Sequence, residues 1–136
     1  MSEPNVLDDA VDEWLTVPGL AERLDLDAGK VRRILQERRL IGMRRGDPAV
    51  FVVPAPFLVP GHLANPAQPA DPGTSARWAV LASLQGTVTV LTDAGLSDIQ
   101  VIEWLFTPDD ALDARPIDAL RAGRKTEVRR RAALEL

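Results

Sequence analysis

Residues 27–53 read DAGKVRRILQERRLIGMRRGDPAVFVV, and two different periodicities meet inside this stretch. Asp27 is a residue type whose carboxylate accepts the free N–H groups at a helix start, and Val31, Ile34 and Leu35 behind it are spaced to bury one stripe. A helix is therefore predicted from Asp27 to about Arg39. From Ile41 the pattern changes: the β-prone runs Ile41–Arg45 and Ala49–Val53 flank Gly46-Asp47-Pro48, the composition of a hairpin turn. The side of the helix away from its apolar stripe is strongly basic. On a wheel anchored at Val31, Gly29, Lys30, Arg33, Gln36 and Glu37 point outward with Arg32 at their flank. Across residues 30–45, Lys30, Arg32, Arg33, Arg38, Arg39, Arg44 and Arg45 stand against Glu37 alone.

On the N-terminal side, Thr16 is placed to cap a short helix with Pro18 in its first turn and Leu20, Ala21 and Leu24 on one face. Asp25-Leu26 forms the break before Asp27. Helix, tight turn, helix and hairpin is the order of a winged helix-turn-helix. In that arrangement the first turns of the second helix meet base edges in the major groove of duplex DNA, and Arg and Gln make bidentate contacts there. Arg33 and Gln36 are the base-reading candidates, with Lys30 and Arg32 on phosphates. Gly29 would allow close approach of the helix start, whose amides and dipole suit a phosphate. Arg44 and Arg45 sit where a wing reaches the minor groove or flanking phosphates. The bland alternative, a merely solvated charged face, loses ground because a basic hairpin follows in the right order.

Further along, Pro54, Pro56, Pro60, Pro66, Pro69 and Pro72 mark a stretch that is poor material for a helix or central strand, since each proline lacks a backbone donor. The chain divides accordingly into an acidic tail (1–15), the winged unit (16–59), a proline-rich linker (60–76) and a second unit (77–136). Phe57, Leu58 and Val59 are expected to pack back on the first unit. The second unit reads as small and all-α. Trp78–Leu84 suits helix or strand, and helix is favoured through Ala94, with Gly95 at its C-terminal stop. Ser97-Asp98-Ile99-Gln100 matches a capping box for a helix holding Ile99, Ile102 and Phe106. Pro116 opens a short helix that Gly123 closes, and Thr126 is the expected cap of the last one. The fold class is mainly α with a small β-hairpin wing.

Composition removes several chemistries. The chain has 136 residues and no cysteine, with one histidine, His62, inside the linker, so thiolate chemistry, disulfides and nearly every zinc arrangement fall away. Phosphate-binding and dinucleotide-binding glycine motifs are absent, and Ser75, Ser83 and Ser97 have no histidine in their own unit to activate them. Asp109 and Asp110 follow a proline at a helix end and read as turn residues. No catalytic residue, metal or cofactor is expected. The N-terminus is acidic without an apolar run behind a basic start, and no apolar stretch reaches bilayer length, so a cytoplasmic location is expected. The net charge of −4 is segregated: Glu3, Asp8, Asp9, Asp12 and Glu13 lie before Trp14, and a second basic cluster from Arg121 to Arg131 lies at the other end.

Leu15–Leu24, Val31–Leu35 and Arg44-Arg45-Gly46-Asp47 together resemble the excisionase and MerR-type winged helix-turn-helix. The whole chain is similar to a small actinobacterial family of winged-helix DNA-binding proteins with a helical C-terminal domain. Trp104–Leu112 and Arg115–Arg124 are the most distinctive part of that likeness, and they also resemble toxin-binding domains of some antitoxins, with Ala114 where those have a glycine. The resemblance implies double-stranded DNA as partner, transcription regulation, and a homodimer or protein-docking surface on the C-terminal unit, for which Trp104, Phe106, Arg121 and Arg124 are the candidates. An antitoxin-type adaptor is the alternative. The family is associated with Ser/Thr kinase phosphorylation of an N-terminal threonine; here the segment before Trp14 has no threonine and offers only Ser2. The acidic tail instead suggests a competitor for the basic helix.

Overall fold

A computed structural model describes residues 11–46, 48–60 and 78–135. The tail up to residue 10 with Ser2, the Asp47 position of the hairpin turn, and residues 61–77 with His62 lie outside the described residues.

The chain runs β1 (Trp14–Leu15), α1 (Val17–Leu24), α2 (Ala28–Gln36), β2 (Met43–Arg45), β3 (Val50–Pro54), a 3-10 turn (Ala55–Phe57) and β4 (Leu58–Pro60). It continues with β5 (Trp78–Val80), α3 (Leu84–Asp93), α4 (Asp98–Phe106), α5 (Pro116–Arg121) and α6 (Lys125–Ala133). The helix starts follow the predicted chemistry. Thr16 Oγ1 accepts the Gly19 N–H at 3.2 Å, and Asp27 Oδ1 accepts the Lys30 N–H at 2.8 Å. Ser97 and Gln100 satisfy each other's backbone N–H groups in a complete capping box.

Strands β2 and β3 form the wing hairpin, pairing Met43 with Val52, Arg44 with Phe51 and Arg45 with Val50. Strand β1 pairs antiparallel with the other edge of β3, so the sheet order is β1-β3-β2. Gly42 is buried between α2 and the hairpin. A Cβ there would stand 2.7 Å from Phe51 Cζ and collide with the Val52 carbonyl, so only glycine lets this segment pass β3.

Four expectations need correction. The first unit begins earlier than Thr16: Val11 and Leu15 are buried and β1 belongs to the sheet, so only part of 1–15 is tail. Helix α2 ends at Gln36 rather than near Arg39, because Arg38 adopts a left-handed φ of +63°. Continuing the helix would carry Leu40, nine residues beyond Val31, about 180° around to the outward face. The turn instead sends Leu40 and Ile41 into the core. Trp78–Val80 is a strand, not the start of a helix, since it pairs with β4 in the register Leu58↔Val80, Val59↔Ala79, Pro60↔Trp78. This takes Pro60 out of the linker as well. The last helix starts one residue before Thr126, with Arg124 at its cap position and bonded to Glu127.

Helices α3 to α6 pack as the expected helical unit, closed at Gly95 and Gly123, both at positive φ. A cluster of buried apolar side chains runs from Val11 to Ala132 and takes in both halves of the chain. Phe57 meets Phe106 with ring centroids 5.8 Å apart, and Arg121 donates to the carbonyls of Pro56 and Leu58 at 2.8 and 2.7 Å. Among the described residues no helix is long and apolar enough to cross a membrane.

Candidate nucleic-acid interface

Helix α2 turns Val31 and Ile34 inward, against α1, and leaves Gly29, Lys30, Arg32, Arg33, Gln36 and Glu37 exposed. The outward face of the wheel is thus reproduced, while Leu35 of the expected stripe is half-buried. The cations of this face and of the adjoining hairpin strand β2 include several with no carboxylate partner. Among the described residues Lys30, Arg32, Arg33, Arg39 and Arg44 make no ion pair, whereas Arg23, Arg38, Arg115, Arg124 and Arg131 each hold a carboxylate. Uncompensated cations gathered on one helix face and the adjoining hairpin are suited to a polyanion.

Two of the expected contacts are used differently. Arg45, in the last strand pair before the hairpin turn, is half-buried and lays its guanidinium over the Trp14 ring, 4.3 Å from the centroid, which ties β2 to β1 across the sheet. Arg44, alternating to the other side of the strand, is the exposed basic residue of the wing. At the helix start the Asp27 carboxylate already accepts the Lys30 amide and lies 3.3 Å from where a Gly29 Cβ would stand. An anion belonging to the chain therefore already stands at the helix start beside Gly29.

The C-terminal end of α2 is held by the other half of the molecule, which sequence reasoning missed. Arg38 makes a bidentate pair with Asp98 at 2.6 and 2.9 Å, and Gln85 Nε2 donates to the Glu37 carbonyl at 2.8 Å. The guanidinium hydrogen bonds hold the Asp98 carboxyl below its ordinary range and raise Arg38. The partners are 60 and 48 residues apart, so no local signal announces them.

The four C-terminal candidates do not converge on one surface. Phe106 is 2% exposed, buried against Phe57 and beneath Arg115. Arg121 is engaged by the two carbonyls named above. Arg124 bonds Glu127 and the Leu112 carbonyl. Trp104 alone of the four is a partly exposed aromatic, beside Thr107, Pro108, Asp109 and Pro116 in a shallow hollow. Asp109 has the turn role expected: one oxygen accepts the Ala111 N–H at 2.8 Å, and the other meets Arg131 at 3.0 Å, which holds the carboxyl low. Among the described residues no group of three or more His, Asp or Glu could hold a metal ion.

Comparison with known proteins divides the chain in two. Residues 2–58 match the family described as DNA-binding protein Rv2175c, wHTH domain, and residues 81–134 match the Rv2175c C-terminal domain of unknown function. A relative named DNA-binding protein Rv2175c, from Mycobacterium tuberculosis H37Rv, is 34% identical over 132 residues, covering 85% of this chain and 75% of the relative. The NMR structure of Rv2175c superposes with a TM-score of 0.70, covering 96% of this chain and 85% of that one.

Proposed function

The chain belongs to the Rv2175c family of winged helix-turn-helix proteins, and from that premise we propose that it binds double-stranded DNA through α2 and the β2–β3 wing. The observation that carries this is the outward face of α2: Lys30, Arg32 and Arg33 stand exposed and unpaired beside Gln36, above a buried stripe that fixes the helix. In this reading Arg33 and Gln36 meet base edges, Lys30, Arg32 and Arg44 meet phosphates, and Gly29 lets the helix approach the duplex. Arg45 contributes by fixing the wing to β1. The helical unit from β5 onward braces α2 through Gln85 and Asp98. The role is that of a cytoplasmic transcription regulator working by binding, not catalysis.

Titration of a labelled duplex with the full chain over a salt series tests this. The three phosphate contacts of α2 and the wing contribute about −3 to the log–log salt slope. Neutralising Arg44 should weaken binding to all sequences alike, while Arg33→Ala should reduce discrimination between a preferred and a mismatched site by about 1–3 kcal/mol. Absence of binding even at low salt would overturn the reading and direct attention to protein docking.

A further inference from the structure

The basic surface does not stop at α2. Gln85, which bonds the Glu37 carbonyl at the end of that helix, is followed by Gly86, and across Gly86 lies the guanidinium of Arg129 from α6. A Cβ at Gly86 would stand 2.8 Å from Arg129 Cζ, so the missing side chain is what seats this arginine on α3. Lys125 lies one helical turn before Arg129 on α6.

Both cations are exposed, and neither has an ion-pair partner among the described residues. Two like charges four residues apart repel, and α3 beneath them provides no carboxylate near Gly86, since its one acid, Asp93, closes the helix about two turns further on. Glu127, the acid nearest in sequence, is bound to Arg124. Arg23, Arg38, Arg115, Arg124 and Arg131 each hold a carboxylate. Here the chain seats two cations without one, on a surface reached from the α2 end by a single hydrogen bond.

We infer that Lys125 and Arg129 form a second phosphate-contacting surface, on which the DNA backbone flanking the site read by α2 is held by the C-terminal helices. This rests on the DNA-binding reading of α2. These contacts are to phosphates, so they add affinity and salt dependence without sequence preference.

The test compares the full chain with Lys125→Ala plus Arg129→Ala, and with Gly86→Ala, on a labelled duplex extending beyond the α2 site. The double variant is expected to make the log–log salt slope shallower by about 2, with sequence discrimination unchanged. Gly86→Ala keeps every charge but displaces the Arg129 guanidinium, and is expected to lower the slope by about 1. A slope unchanged in both variants, while Arg33→Ala still weakens binding, overturns this inference and leaves α2 as the reader. Failure of the wild type to bind at low salt overturns both. Far-ultraviolet circular dichroism of each variant identifies any loss that comes from unfolding.

Discussion

Arg38 and Arg33 are neighbours in sequence and opposite in role. Arg33 stands exposed on α2, while Arg38, past the helix end at positive φ, reaches Asp98. Both side chains of that pair are about two-fifths exposed, so its worth is that of a surface ion pair, at most about 1 kcal/mol. Because the folded-state Asp98 carboxyl is held below its ordinary value, the stability it contributes is fully present above about pH 4 and is lost as pH falls through the depressed value. Denaturation of wild type and Asp98→Asn should therefore differ near neutrality and converge in strong acid; a difference that grows on acidification contradicts the assignment. Gly42→Ala is a sharper case. The added methyl meets the Val52 backbone and the Phe51 ring, and a loss of about 1–3 kcal/mol in urea denaturation is expected. Residue roles set by near neighbours, such as the caps at Thr16, Asp27 and Ser97, are legible in the sequence. Those set by distant partners, such as Arg45 on Trp14 or Arg121 on the carbonyls of Pro56 and Leu58, are not, since nothing local distinguishes a buried guanidinium from a solvated one.

Helix α2 carries its own start signal and borrows its stop. Asp27 marks the beginning as predicted, but the end is set by the need to turn Leu40 and Ile41 inward, which becomes visible only when the core is known. Strand β5 was hidden for a similar reason: its partner β4 lies across the proline-rich stretch, and Trp78-Ala79-Val80 alone fits either element. The cap of α2 also has a double consequence. Asp27→Ala should cost about 1 kcal/mol of stability by freeing the Lys30 amide. It also removes a carboxylate at the start of the helix proposed to bind DNA, so affinity for a duplex at low salt should rise even as the melting temperature falls. A fall in both, measured on protein still folded at the assay temperature, would show that Asp27 helps DNA binding beyond shaping the helix.

At the scale of the molecule, charge is sorted by whether it is paired. The net charge of −4 hides a face where cations are left uncompensated, while Arg38 and Arg121 staple the helical half to the winged half and Arg115, Arg124 and Arg131 staple it to itself. The order of elements and the wheel of α2 could be read from periodicity; the docking of the halves through Arg38, Gln85 and Arg121 could not, because it depends on contacts between segments about fifty residues or more apart. That docking holds the C-terminal end of α2 against the helical half through Arg38 and the Glu37 carbonyl. The most direct measurement is a titration of isotope-labelled full chain with a short duplex, followed through its backbone amide resonances. Shifts concentrated on Lys30 to Gln36 and around Arg44 are predicted, decreasing with added salt. Shifts confined to the surroundings of Trp104, or none at low salt, would contradict the account.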